Sequence, residues 1–233
     1  MGAPTGEERS VSDVGTTPRT RVRRLPERAV HDRPVLHAIL DAGLVAHVAV
    51  RDDDGQPYVI PVAYARRGEQ VAFHGSTGSR LFRGLEAGQP TCLTVTLLDG
   101  LVLARSAFES SMNYRSAMVL GVARRLTGDD EFDALRAISD HLLPGRWADI
   151  RHPTAKERAA TMTLALDLDE CSVKVRVGGP EDLPEDLADP ALATTWAGHV
   201  PIFEAFSDPV PSPANSPEAE VPSYISSWIR PAP

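Results

Sequence analysis

Residues 71–85, VAFHGSTGSRLFRGL, gather residue types that can hold a phosphate. A short apolar strand, Val71 to Phe73, runs into His74 and the small polar turn Gly75, Ser76, Thr77, Gly78, Ser79, and then into a helix led by Arg80. The first turn of a helix leaves several backbone N–H groups without intrahelical partners and carries partial positive charge, so hydroxyls and a guanidinium there suit anionic oxygens. Ser76, Ser79 and Arg80 are the candidate donors, the last through a planar fork. Ser, Thr and Gly before a helix also make an ordinary N-cap, and the segment alone leaves both roles open. His74, at the end of its strand, is either a catalytic or substrate-side imidazole or a hydrogen-bonded structural residue.

The elements that would position this segment can be read in order. Pro34 opens a short helix whose apolar face is Val35, Leu36, Ile39 and Leu40, and Gly43 ends it. Strands over Leu44–Val50, Tyr58–Ala65 and Val71–Phe73, joined by DDDG and RRGEQ turns, make an antiparallel meander. The helix from Arg80 ends at Gly88-Gln89-Pro90. Strands are expected over Thr91–Leu98, Leu101–Ala104 and Ala117–Leu126. From Asp129 the period changes, and Phe132, Leu135, Ile138 and Leu142 recur at helical spacing up to Pro144-Gly145. Thr161–Asp167 and Ser172–Val177 read as one long strand with a break near Asp169. Without β-α-β alternation, this pattern indicates a mostly β fold, an antiparallel barrel with attached helices, and argues against a doubly wound nucleotide fold.

At 233 residues, 42% hydrophobic and 24% charged, the chain suits one globular domain, and no apolar run is long enough to span a bilayer. The opening MGAPTGEERS shows neither a secretory nor a myristoylation pattern, so a cytoplasmic address is expected. Cys92 and Cys171 form no CxxC pair and are expected as two buried thiols, with no metal site. A net charge of −8 argues against a nucleic-acid partner, and the basic cluster Arg21, Arg23, Arg24, Arg28 is expected to pair with the acidic body. Residues 1–20 are expected to be a mobile tail and 21–206 the folded domain. Residues 207–233 are Pro-rich, but Tyr224, Ile225, Trp228 and Ile229 suggest an end that docks on a neighbouring subunit.

Four pieces, IPVAYA at 60–65, FHGSTGSRL at 73–81, MNYRSAMVLGVA at 112–123 and WAGHVPI at 196–202, together resemble the pyridoxamine 5′-phosphate oxidase-like FMN-binding split barrels, in their flavin-nucleotide-binding, nitroimidazole reductase-like branch. The resemblance implies a six-stranded antiparallel split β-barrel working as a homodimer, with FMN at the dimer interface. Carried onto this chain, it implies that the backbone of Pro61, Val62 and Tyr64 lies along the isoalloxazine ring. It also implies that Ser76, Ser79 and Arg80 hold the phosphate, and that His74 lies close to the flavin. Tyr64 is alternatively a cross-strand aromatic. Tyr114, Arg115 and Ser116 match the family's Tyr-Arg-Ser segment; a cation there would stabilise reduced flavin, the other reading of Arg115 being an interface ion pair.

The basic residues with which true pyridoxamine phosphate oxidases hold their substrate have no counterpart here, so vitamin B6 oxidation is disfavoured. The leading expectation is an FMN-dependent oxidoreductase passing a hydride or electrons from NADH or NADPH, bound transiently, to a small organic acceptor. The alternatives are a flavin- or haem-binding protein of the same fold without turnover, with His74 or His47 as axial ligand, and a deazaflavin-dependent reductase. A cofactor-free dimer that binds other proteins through its tails is a further class.

Overall fold

A computed structural model describes residues 13–52 and 54–228. The strands are β1 (Ala29–Val30), β2 (Val45–Arg51), β3 (Pro57–Arg67), β4 (Gln70–Ser76), β5 (Pro90–Leu103), β6 (Ser111–Val122), β7 (Arg124–Arg125), β8 (Thr161–Asp167), β9 (Glu170–Arg176) and β10 (Gly198–Pro201). The helices are α1 (Arg33–Ala42), α2 (Arg80–Glu86), α3 (Gly128–Leu142), α4 (Arg146–Asp149), α5 (Ala155–Ala160), α6 (Pro184–Ala188) and α7 (Ser223–Ser226). None of the helices among the described residues is long and apolar enough to cross a membrane.

Each main element follows from its local pattern. In α1, Pro34 occupies the first turn, Leu36, Ile39 and Leu40 form the buried stripe, and the Gly43 N–H closes the helix on the Ile39 carbonyl. In β2 every second residue, Ala46, Val48 and Val50, points inward. The acidic first turn of α3, Asp129 to Glu131, complements the helix dipole.

All strand pairs are antiparallel, in the order β1-β9-β6-β5-β2-β3-β4-β8-β7, and β10 adds to β5. Inward residues of the long strands, among them Val48, Phe73, Leu93, Val119, Leu164 and Val173, meet α1 in one core. A smaller cluster, Ala65, Ala72, Leu126 and Ala165, is covered by Ala134 and Ile138 of α3. This is the mostly β split barrel expected from the sequence, with more than six strands: seven long ones and the short β1, β7 and β10.

Several boundaries differ from expectation. The two strands expected around Asp99-Gly100 are one, β5, which crosses that dipeptide on a bulge between Leu98 and Gly100. The long strand expected over 161–177 is two, β8 and β9, lying in different parts of the sheet. The mobile tail expected over 1–20 is packed from Asp13 onward. Val14 is buried, its carbonyl lies 2.6 Å from His31 Nδ1, and the Gly15 N–H donates to the Cys171 carbonyl at 2.7 Å. Residues 1–12 lie outside the described residues.

At the other end, the Tyr224 hydroxyl donates to Asp149 of α4 at 2.6 Å, and Trp228 packs on Phe206. Those two aromatics therefore dock within their own chain, and Ile229 falls outside the described residues. Cys171 is buried, but Cys92 is only partly so.

Tyr64 is fully buried, and its hydroxyl donates to the Leu40 carbonyl at 2.6 Å. Its ring rests 5.2 Å from that of His141, whose Nε2 meets the Gly43 carbonyl at 2.6 Å. Replacing Tyr64 by Phe is expected to destabilise the fold by about 1–2 kcal/mol in urea denaturation, because it removes a satisfied buried hydrogen bond. Burial pushes the Cys171 thiol up to about 12. The native protein at pH 8 should therefore be alkylated by iodoacetamide at Cys92 and not at Cys171, with both labelled in urea, as read by mass spectrometry.

Candidate functional site

The β3–β4 ladder runs from Arg67–Gln70 to Tyr64–Phe73 and stops there. Continued by one step at a time it would pair Ala63 with His74, Val62 with Gly75 and Pro61 with Ser76, but these residues part. β3 from Pro57 to Ala63 pairs only with β2, and β4 from His74 to Ser76 pairs only with β8. The split thus sets Pro61 and Val62 on one lip and His74 and Ser76 on the other, with unpaired backbone between them. Tyr64 does not join this lip. Its backbone pairs with Phe73 and its side chain is a core pillar, which agrees with the cross-strand alternative for its side chain.

Helix α2 holds the split open. Phe82 lies flat against Gly75, where any Cβ would collide with the ring, and packs 5.8 Å from the Phe73 ring. Between α2 and the β2–β3 hairpin is a cleft of about 500 Å³ lined by Arg51, Tyr58, Ile60, Ser79, Arg80 and Arg83 among others. The Arg80 guanidinium stacks 4.6 Å above the Tyr58 ring, a cation–π contact that fixes it over the cleft. Ser79 Oγ accepts from the Phe82 N–H at 3.5 Å and Ser76 Oγ accepts from the Gly78 N–H at 3.1 Å. Ser79 thus caps α2 while Ser76 closes the turn before it, and both hydroxyls still carry a proton to donate, so the two readings of this segment are compatible.

His74 projects to solvent at the head of the split, with no polar partner among the described residues. The protein around it nevertheless holds its pKa below the ordinary histidine value by desolvation, which favours the neutral imidazole near pH 7. His47 and His199 are likewise exposed without polar partners among the described residues. By contrast His31, His37 and His141 have hydrogen-bond or ion-pair partners, and His152 stacks on Trp147. His47 sits on the outer face of the sheet, in a cross-strand row with Pro61 and Thr94.

Tyr114, Arg115 and Ser116 do not join the split within one chain. They lie on β6, separated from β3 by β5 and β2, roughly 14 Å at ordinary strand spacing. Arg115 makes a bidentate pair with Asp99 at 2.9 and 2.7 Å, while its Nη1 is buried with no partner. Ser116 Oγ donates to the Lys174 carbonyl at 3.3 Å, and Tyr114 is half-buried opposite Leu98. The Asp99 carbonyl also accepts from the Ile202 N–H at 3.0 Å, so the bulge ties β6 to the end of β10. Trp196, in the WAGHVPI piece, folds over Gly198 and is otherwise largely exposed.

Sequence reasoning missed Tyr58, Arg51 and Arg83. The three-residue spacing of Arg80 and Arg83, which places both on one side of a helix, was the available signal.

Fold and cleft together define a split barrel of the flavin-binding architectural class. The chain belongs to the pyridoxamine 5′-phosphate oxidase family, whose profile matches residues 32–175. The flavocytochrome Anf3 from Azotobacter vinelandii is 41% identical, with 94% of this chain and 99% of that chain covered and a TM-score of 0.85. The FAD and heme binding protein from Mycobacterium smegmatis is 38% identical over 85% of this chain and 96% of its own, with a TM-score of 0.80. A putative 5-nitroimidazole antibiotic resistance protein from Bacteroides thetaiotaomicron, 20% identical with a TM-score of 0.54, covers 63% of this chain and 86% of its own and shares the fold. A search of curated proteins gives no match.

The Asp99–Arg115 pair is mostly buried, and removing one member strands the other. Asp99→Ala should lower stability by about 3 kcal/mol in chemical denaturation. The double variant Asp99→Ala with Arg115→Met should recover part of that loss.

Proposed function

We propose that this protein is a flavin- and haem-binding redox protein of the flavocytochrome kind. The observation that carries the reading is the likeness, over nearly the whole length of both chains, to two proteins described as a flavocytochrome and as an FAD and heme binding protein. A flavin fits the split: on the edge at Pro61 and Val62, Pro61 offers only its C=O, and Val62 brings the one N–H of the pair, to a flat polar heterocycle. Ser76, Ser79 and Arg80 stand ready for a phosphate at one end. The flavin is taken to be FAD, the form named for the Mycobacterium smegmatis relative, in place of the FMN expected from sequence.

A haem needs a neutral imidazole with no competing hydrogen bond, and His74 meets both conditions. When bound, the flavin supplies two-electron chemistry toward a reduced nicotinamide and the haem supplies one-electron chemistry. The chain's own part is to fix the flavin edge against β3, to hold the phosphate with Arg80, and to present His74 Nδ1 or Nε2 to iron. NADH or NADPH as donor and a small organic acceptor complete the proposed oxidoreductase reaction.

A homodimer belongs to the same reading. The outer face of β9, β6, β5, β2 and β3 carries Val45, Val59 and Leu98 exposed, with Ala49, Cys92 and Met118 half-covered. A second copy on this face would cover them and carry its Tyr114–Ser116 segment toward the split, which one chain cannot do alone.

The purified protein should show flavin absorption together with a haem Soret band, and the extracted flavin should chromatograph as FAD. His74→Ala should lose the Soret band and keep the flavin, whereas His47→Ala and His199→Ala should keep both. Retention of the band in His74→Ala would move the axial role to another histidine. Absence of haem and flavin from protein reconstituted with both would overturn the reading.

A further inference from the structure

Twelve arginines form ion pairs with carboxylates among the described residues. Arg51, Arg80 and Arg83 have no carboxylate or hydrogen-bond partner there, and all three line the same cleft between α2 and the β2–β3 hairpin. Its one carboxylate, Asp52, is already engaged: Oδ1 accepts from the Gln56 N–H at 2.8 Å in the hairpin turn. On a chain of net charge −8, three guanidiniums without carboxylate partners in one cavity make a local cation excess that favours a bound anion.

The cleft also continues past the phosphate end. Its lining follows α2 from Ser79 through Gly84 to Ala87 and then Gln89, about 12 Å along the helix at 1.5 Å per residue. Arg83 stands one turn beyond Arg80, and Arg51 faces them from the end of β2. Gly84 has no side chain, and the space is taken by the Gln89 amide, which folds onto the helix where a Cβ at 84 would collide with it. A single terminal phosphate fills only the Ser79–Arg80 end.

We infer that this cleft is the adenosine-diphosphate subsite of a flavin dinucleotide, in which Arg51 and Arg83 hold the second phosphate and Gln89 faces the adenine end. Arg51 and Arg83 thereby set the preference for FAD over FMN. The inference rests on the flavin reading above and adds to it the residues that recognise the dinucleotide. Arg80 serves both flavins, because it meets the phosphate they share. The apolar wall of Tyr58, Ile60 and Leu81 gives the adenosine moiety a surface to lie on. The Gln89 amide, with a donor and an acceptor side by side, matches the edge of adenine.

The test is flavin titration of apo-protein with FAD and with FMN, for the wild type, Arg51→Ala, Arg83→Ala, the double variant, and Arg83→Glu. Both arginines are exposed and unpaired, so the variants should fold, and thermal unfolding checks that they do. The wild type is expected to bind FAD more tightly than FMN. Each alanine should weaken FAD roughly tenfold or more, the range of a charge-assisted contact, and change FMN by less than about threefold. FAD affinity should also fall more steeply with salt than FMN affinity in the wild type, and this difference should vanish in the double variant. Equal affinity of the wild type for both flavins, or a preference for FAD that survives in the double variant, would overturn the inference and leave the flavin reading standing. A wild type that binds neither flavin overturns both.

Discussion

Everything at the site depends on the point where β3 and β4 stop pairing. An antiparallel ladder gains a hydrogen bond with each further pair, so two adjacent strands of sufficient length part only when something else is gained. Here the gain is packing. Phe82 is buried against Phe73 and against the bare backbone of Gly75, and a side chain at 75 would force the helix away. Just inside the fork, Tyr64 is tied to α1 through Leu40, so the last closed pair cannot drift. The backbone groups freed on each lip then lack strand partners, which a ligand with polar edges would supply. The opening in the barrel is therefore a consequence of one aromatic ring seated on one glycine.

Charge is distributed with the same economy. The fold pairs its surface arginines with carboxylates drawn from distant segments, as in Arg66–Asp41 and Arg67–Asp130, and most such pairs are exposed enough to contribute little to stability. Their effect is on potential instead: they cancel positive charge where they form, whereas of the basic cluster expected to pair with the acidic body only Arg28 has a carboxylate partner, its neighbour Glu27, among the described residues. The α2 cleft is left as a local cation excess on an acidic molecule, which raises the local concentration of a polyanion there while the rest of the surface repels it.

Much of this was legible in the chain. The 3.6-residue recurrence of Phe132, Leu135, Ile138 and Leu142 marks α3, alternation marks β2, and the polar turn before Arg80 marks the start of α2 at the observed residue. The Ser79 cap and the Arg80 start could be named because a helix start is a local event. The role of Tyr64 could not, since alternation gives the face of a side chain but not the residue at which a ladder closes. Asp99 was equally hidden as the partner of Arg115, because their contact depends on the register and bulge of β5 against β6. Arg51 and Arg83 read as ordinary surface charge until the hairpin and the helix face each other across the cleft.

The division of chemistry between strands also argues for how the assembly works. In the proposed reading a flat cofactor in the split would meet β3, β4 and α2 from one side, and its remaining face would open to water. The Tyr114–Ser116 segment lies three strands away on the same sheet, too far to fold over and held there by the Asp99 pair. Moving it would break a ladder of twelve registered pairs between β5 and β6. Rigid packing of a second barrel against the outer face costs no such rearrangement and covers Val45, Val59 and Leu98 in the same step. In the proposed dimer, association would be the route by which a stiff sheet closes a site that it cannot close by bending. Water would be excluded from the flavin face as a by-product of covering apolar surface, which is the condition under which reduced flavin is shielded from adventitious oxidation.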